Sequence, residues 1–338
     1  MTKMTIGFDV SQALYGTGVS DYTIEMAKRL KVTLFGYSLR RQTELKKLFP
    51  NAKIFPFPPT AMHYLWNKFH LLPVENLIGT IDIYHSSDWA QALSKAKKVT
   101  TVHDLAPFLY PSETSSQIVS VHTARMRWVV AECDKIICVS QSTANDLVKL
   151  FPSTKNRTIV IPEALPSRFL LEPNTHNPEP YILAIGSRQP RKNITRLVSA
   201  FLNYRPAEKL IIIGENSSII NHKSIIFTGY VSDQDLVNYL ASASCFVYPS
   251  LYEGFGLPIL GTFHHQIPVA VSDIPVFHET ASNAAVYFDP YDEKSIASGI
   301  SDAINNKTKL VKLGTEQLKK FSWQKAADET IKVYKSLC

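Results

Sequence analysis

Short apolar runs rich in Val and Ile recur along the chain, and most lead into a stretch whose apolar positions repeat at helical spacing. In the first half these runs are Thr5–Val10, Val32–Tyr37, Ile81–His85, Val99–His103 and Lys135–Val139. In the second half they are Tyr181–Ile185, Lys209–Ile213, Ser224–Phe227, Cys245–Tyr248, Val269–Val271 and Ala285–Phe288. Unbroken runs of this kind suit strands covered on both faces, as in parallel sheets flanked by helices. Helical spacing marks 20–30, 115–131, 142–150, 194–202, 234–241 and 293–305. The alternation predicts an α/β fold throughout. Residues 162–180 (PEALPSRFLLEPNTHNPEP) hold five of the 20 prolines and show no periodicity, which predicts a linker between two α/β units. Two such units would leave a cleft at the carboxyl ends of their sheets, the edge where open α/β sheets bind ligands. Residues 40–72 are less regular and mix basic residues with Phe55, Phe57, Tyr64, Trp66 and Phe69. They read either as a helix and loop packed on the first sheet or as an amphipathic surface for an acceptor or a membrane.

Composition narrows the class. The chain has 338 residues, 45% hydrophobic and 19% charged, which suits two ordinary globular cores and excludes a disordered or fibrous chain. A net charge of +7, without any run of five like charges, favours phosphate-bearing partners over nucleic acid. Four scattered cysteines make neither a disulfide framework nor a zinc site. The sequence opens without a signal-peptide core and holds no apolar stretch of spanning length, so a cytoplasmic protein is expected, with a peripheral contact at the inner face of the membrane left open.

Three segments carry candidate chemistry. Gly16-Thr17-Gly18 follows the first strand and precedes a helix, a turn whose backbone amides can approach a phosphate; a tight structural turn fits equally well. Gly186-Ser187-Arg188-Gln189-Pro190-Arg191-Lys192-Asn193 places cations where a strand opens, and paired cations there suit a diphosphate. The most specific is Pro249-Ser250-Leu251-Tyr252-Glu253-Gly254-Phe255-Gly256-Leu257-Pro258. It sets a carboxylate in a glycine-rich turn at a helix start, where amides hold anions and the carboxylate accepts hydroxyl hydrogens. Asp233-Gln234-Asp235 resembles a metal-binding pair but reads better as the start of a helix capped by Ser232 or Asp233. His85 ends a strand and suits either the acceptor cleft or a structural hydrogen bond, and His264-His265 read as surface or packing residues. Asp104 either orients His103 or caps the next turn.

Lys192-Asn193, Phe227-Thr228-Gly229-Tyr230, Glu253-Gly254-Phe255-Gly256-Leu257-Pro258 and Phe321-Ser322-Trp323 stand in the order and spacing of the GT4-type retaining glycosyltransferases (group 1). The early glycine turn and Thr101-Val102-His103-Asp104-Leu105 match as well, so the chain resembles this family over essentially its whole length. The resemblance implies a GT-B fold: two facing Rossmann-like domains, 1–165 on the acceptor side and 166–320 for the nucleotide sugar, with 321–338 returning as a helix to the first. It implies that Arg191 and Lys192 bind the diphosphate, that Glu253 hydrogen-bonds the donor sugar, and that the amides of Gly254, Phe255, Gly256 and Leu257 line sugar and phosphates. It further implies Tyr230 near the base, Gly16 and Gly18 near the donor phosphate, and His103 at the reaction centre. No metal is expected. The pattern looks most like bacterial mannosyltransferases, so GDP-mannose is the expected donor, a UDP-sugar the substitute, and a glycan or lipid-linked hydroxyl the acceptor. One departure stands out. The family's second glutamate, eight residues after the first, is Gly261 here. A non-catalytic relative binding nucleotide or glycan is the alternative this raises, and restoring a glutamate at 261 is expected to tighten nucleotide binding.

Overall fold

A computed structural model describes residues 4–177, 179–186, 189–204, 208–215 and 222–338. The chain divides into two compact units, Met1–Glu163 with Ser322–Cys338, and Ala164–Phe321. The crossings fall two residues and one residue from the expected boundaries of 165 and 320.

The first unit is a seven-stranded parallel sheet of β1 (Ile6–Asp9), β2 (Thr33–Tyr37), β3 (Lys53–Phe55), β4 (Ile83–Ser86), β5 (Lys97–Val102), β6 (Lys135–Cys138) and β7 (Thr158–Val160). Their order is β3-β2-β1-β4-β5-β6-β7. One cluster of its core gathers Phe35, Tyr37, Met62, Trp66 and Tyr84, and another gathers Val102, Met126, Val129, Ile136 and Leu147. Residues 40–72 take the packed form. Helix Pro59–Met62 runs into a wider turn over His63–Lys68, which drives Trp66 into the core while Tyr64 and Phe69 stay exposed. Indole Nε1 of Trp66 donates to the Leu72 carbonyl at 2.9 Å, which makes this large ring compatible with full burial.

The second unit is a six-stranded parallel sheet of β8 (Tyr181–Ile185), β9 (Lys209–Ile213), β10 (Ile225–Gly229), β11 (Cys245–Tyr248), β12 (Val269–Ser272) and β13 (Val286–Phe288). The order is β10-β9-β8-β11-β12-β13. Ile182, Leu210 and Val247 pack with Leu197, Phe201, Ile296 and Ile300 of the covering helices.

One element departs from the sequence reading. The proline-rich stretch is not a free linker beyond Glu163. Its short turn Ser167–Leu170 buries Phe169 against Gly261, and its backbone is held by His265 Nε2, 3.0 Å from the Phe169 carbonyl, and by Gln234, which donates to the Glu172 carbonyl at 2.9 Å. The last helix, Trp323–Lys335, belongs to the first unit. Trp323 stands edge-on to Tyr22 at 6.0 Å, and the buried hydroxyl of Tyr334 lies 2.6 Å from His85 Nδ1. His85 is therefore structural rather than acceptor-facing, since its other nitrogen meets Thr101 Oγ1 at 3.0 Å. Burial, with help from His103 and Arg125, pushes His85 down to about 3, so the ring is neutral and can accept one bond while donating the other. Among the described residues no helix is long and apolar enough to cross a membrane.

Candidate functional site

In the second sheet the strand order reverses between β8 and β11, which are hydrogen-bonded neighbours. The loops leaving their carboxyl ends diverge there, and the predicted cation and glutamate segments are those two loops. After β8, Gly186 approaches the following helix so closely that a Cβ would lie 2.3 Å from Ile194 Cδ1. Ser187 and Arg188 of the predicted loop lie outside the described residues. A short turn, Pro190–Lys192, then ends on Asn193 in the left-handed conformation (φ 58°). Asn is among the residues that tolerate it, and here its amide donates to the Pro290 carbonyl at 2.7 Å. Helix Ile194–Tyr204 starts immediately afterwards.

After β11, the chain turns through Ser250–Phe255 into helix Leu257–His264. Gly256 caps that helix at φ 95°, a conformation that disfavours any side chain, and a Cβ there would lie 3.1 Å from Phe277. Phe255 is buried against Phe321, and its carbonyl accepts from Thr280 Oγ1. The first helical amides are thus held in place by packing on both sides.

The two loops are joined by charge. Lys192 Nζ lies 2.6 Å from Glu253 Oε1, and Arg191 Nη1 is 3.9 Å from Oε2 while donating to the Tyr252 carbonyl at 3.1 Å. The Leu251 amide donates to the Arg191 carbonyl at 2.7 Å, fixing one loop on the other. Beneath Lys192 lies the ring of Tyr248, 5.6 Å to its centroid, stacked in turn on Phe277. Burial opposes ionisation of Glu253, but Lys192 and Arg191 outweigh it and hold the carboxyl below the ordinary value. The result is a fixed carboxylate and two cations at a helix N-terminus, able to accept hydroxyl hydrogens and to neutralise an anion side by side.

The structure brings together Arg191, Lys192, Glu253, Gly254, Phe255, Gly256 and Leu257. Tyr230 stands elsewhere on this sheet, 89% exposed, after the bend at Gly229 (φ 71°) that ends edge strand β10. Gly261 is not an open position beside the site. A Cβ there would lie 2.5 Å from Phe169 Cδ1, so a side chain at this place requires Phe169 to shift. Asp235 N–H donates to Ser232 Oγ, confirming a helix cap rather than a metal pair.

In the first unit His103 leaves β5 with its ring edge-on to Tyr22 at 4.8 Å. Its Nδ1 is 3.0 Å from Glu163 Oε1, and its buried Nε2 has no hydrogen-bond partner among the described residues. Burial disfavours the imidazolium, yet the bond and charge of Glu163, with Asp88 and Asp104 beyond, raise His103 above the ordinary histidine value. Gly16 takes φ 71° on an exposed turn, and Gly18 opens helix Gly18–Arg29 behind a Thr17–Ser20 capping box. Asp104 caps the next turn through the Ala106 amide. Glu163 was not anticipated; a lone carboxylate in a proline-rich stretch gives no periodic signal, and only its place just after β7 marks it.

The family described as Glycosyl transferases group 1 matches residues 169–337, and Glycosyltransferase Family 4 matches residues 16–166. O-antigen chain mannosyltransferase B of Escherichia coli is 26% identical over 95% of this chain and 96% of its own length. O-antigen chain mannosyltransferase RfbU of Salmonella typhimurium is 31% identical over 60% of this chain and 59% of its own. Among solved structures, sucrose-phosphate synthase from Thermosynechococcus elongatus superposes with a TM-score of 0.75 at 18% identity, covering 99% of each chain. Anabaena HepE in complex with UDP and glucose gives 0.72 at 14% identity, over 99% of this chain and 100% of that one. These likenesses carry the fold, the GT-B pair of Rossmann-like units.

Proposed function

The chain belongs to the group 1 glycosyltransferases, and from that membership we propose that it transfers mannose from GDP-mannose to a hydroxyl of a glycan or lipid-linked acceptor in polysaccharide biosynthesis, with retention and without a bound metal. The observation that carries the reading is the Lys192–Glu253–Arg191 constellation where the order of the second sheet reverses. The mannose assignment draws on the named mannosyltransferase relatives.

In this mechanism Arg191 and Lys192 neutralise the charge that builds on the departing diphosphate, aided by the amides at the start of helix Leu257–His264. Glu253, kept ionised by the same cations, accepts hydrogens from the sugar hydroxyls. Lys192 is shared between the two tasks, so its position is set before a donor arrives and little reorganisation is needed. His103, oriented by Glu163, presents Nε2 to the sugar side. Tyr230, Gly16 and Gly18 serve the base and the phosphate. The exposed Tyr64, Phe69 and Leu71, with Lys68 over Tyr64, favour a peripheral contact with an anionic lipid surface.

The test is a panel of GDP-mannose, UDP-glucose and UDP-N-acetylglucosamine, scored for binding by calorimetry and for slow release of free nucleotide. GDP-mannose alone is expected to bind at micromolar to millimolar levels and to be hydrolysed. Preference for a UDP-sugar would overturn the donor, and no binding at millimolar concentration would overturn transfer.

A further inference from the structure

The aromatic residue that ends β11 supports the charged pair from below. Tyr248 lies on a strand paired with β8 on one side and β12 on the other, and it is 3% exposed. Its ring is stacked on Phe277 of helix Pro275–Ala281, with 5.1 Å between centroids and 28° between planes. Phe277 is fully buried and occupies the room that a side chain at Gly256 would need, 3.1 Å from the Cβ position. Lys192 Nζ stands over the same Tyr248 ring, 5.6 Å from its centroid. A chain of contacts thus runs from the cation of one loop, through two stacked rings, to the cap of helix Leu257–His264 on the other.

An aromatic face suits this place for a chemical reason. An ammonium has three N–H donors and no acceptor, and Glu253 takes one of them. A carbonyl or carboxylate beneath Lys192 would take another and compete with phosphate oxygens. A ring face attracts the cation through its quadrupole and occupies no N–H, so the other donors stay available to an incoming anion. Cation–ring contacts are weak at exposed sites and strongest where water is excluded. Lys68 and Arg196 stand over Tyr64 and Tyr291, rings that are 52% and 66% exposed, whereas the ring under Lys192 is buried. The Tyr248 phenol also lies beside Glu253 and Ser250, so this one side chain underlies both members of the pair. When sugar hydroxyls draw on the Glu253 carboxylate, the ring still holds Nζ in place.

We propose that Tyr248 is a positioning residue for Lys192: its ring face keeps the ammonium aimed at the departing diphosphate, and Phe277 ties that support to the helix start whose amides serve the same group. This rests on the transferase reading above and deepens it, adding a residue that acts on the leaving group only through Lys192.

The test changes the charge of the ring face and keeps its shape. Tyr248→Phe is made with plain phenylalanine and with a ring-fluorinated phenylalanine, in which fluorine withdraws charge from the face, and Tyr248→Leu removes the ring. Each is made in the full chain with Lys192 intact and with Lys192→Ala. They are read by kcat and KM for whichever sugar nucleotide the wild type hydrolyses, and by urea unfolding. With Lys192 present, kcat is expected to fall about tenfold from the plain to the fluorinated ring, the size of a desolvated cation–π contact, while KM changes less. Tyr248→Leu is expected to be at least as slow as the fluorinated variant. In Lys192→Ala the two rings are expected to give equal kcat. Equal kcat for both rings with Lys192 present overturns the proposal, and so does the same loss with and without Lys192, which would make Tyr248 a packing residue. If Tyr248→Leu fails to fold, the two phenylalanine variants decide. If the wild type releases nucleotide from no donor, the transferase reading falls by itself and unfolding decides on Tyr248. Fluorination that destabilises the chain only when Lys192 is present then upholds the contact, and equal stability overturns it.

Discussion

Lys192 and Glu253 meet at 2.6 Å, with side chains only 17% and 11% exposed, so each sets the other's chemistry. In Lys192→Ala, turnover should fall on the order of 10²–10³-fold, as for loss of a preorganised charge, and stability by about 1–3 kcal/mol. Steady-state rates beside a denaturation curve check this; near-normal turnover would remove Lys192 from leaving-group stabilisation. His103 is raised above its unfolded value, near 6.5, so its bond to Glu163 stabilises the fold fully below about pH 6.5 and fades as pH rises through the raised value. Glu163→Gln should therefore destabilise more at pH 6 than at pH 9 in urea unfolding. An equal loss at both would mean that His103 stays neutral.

At the scale of elements, helix Leu257–His264 is packed closely at two glycines, Gly256 at its cap against Phe277 and Gly261 in its middle against Phe169. Gly261→Ala should cost about 1–3 kcal/mol by overpacking, and Gly261→Glu more, with nucleotide affinity reduced. Calorimetric melting of the single variants and of Gly261→Ala with Phe169→Leu tests the contact, since the second change should recover part of the loss. Additive losses would place the strain elsewhere. What the sequence made legible follows the same logic of burial. Nine of the eleven anticipated strands are interior to their sheets, where apolar continuity speaks clearly, and the two anticipated edge strands, β10 and β13, keep apolar runs of their own. The two missed ones, Lys53–Phe55 and Thr158–Val160, are three-residue edge strands with little of that signal. Glu253 was legible because glycines fix its turn, and Glu163 was not, because its role depends on a histidine 60 positions away. Phe169 hid in a proline-rich stretch because its partner is a missing side chain at Gly261.

At the scale of the molecule, the last helix completes the first unit. Tyr334, fully buried, is the partner of His85 Nδ1, and Trp323 meets Tyr22. Tyr334→Phe strands a buried imidazole nitrogen and should cost about 1–3 kcal/mol. Hydrogen exchange read by mass spectrometry should show faster exchange in β1, β4 and β5 than in β8–β13; a uniform change would show that the two units open together. The same arrangement bears on how the protein is made. The second unit, Ala164–Phe321, is an insertion within the first. A chain emerging from the ribosome can finish the inserted unit while its predecessor still lacks the 17 residues Ser322–Cys338. Until those residues are synthesised, Tyr22 lacks its contact with Trp323 and His85 its Tyr334 partner, so the amino-terminal half is the last to mature. A stop codon a few turns early would harm the domain encoded first.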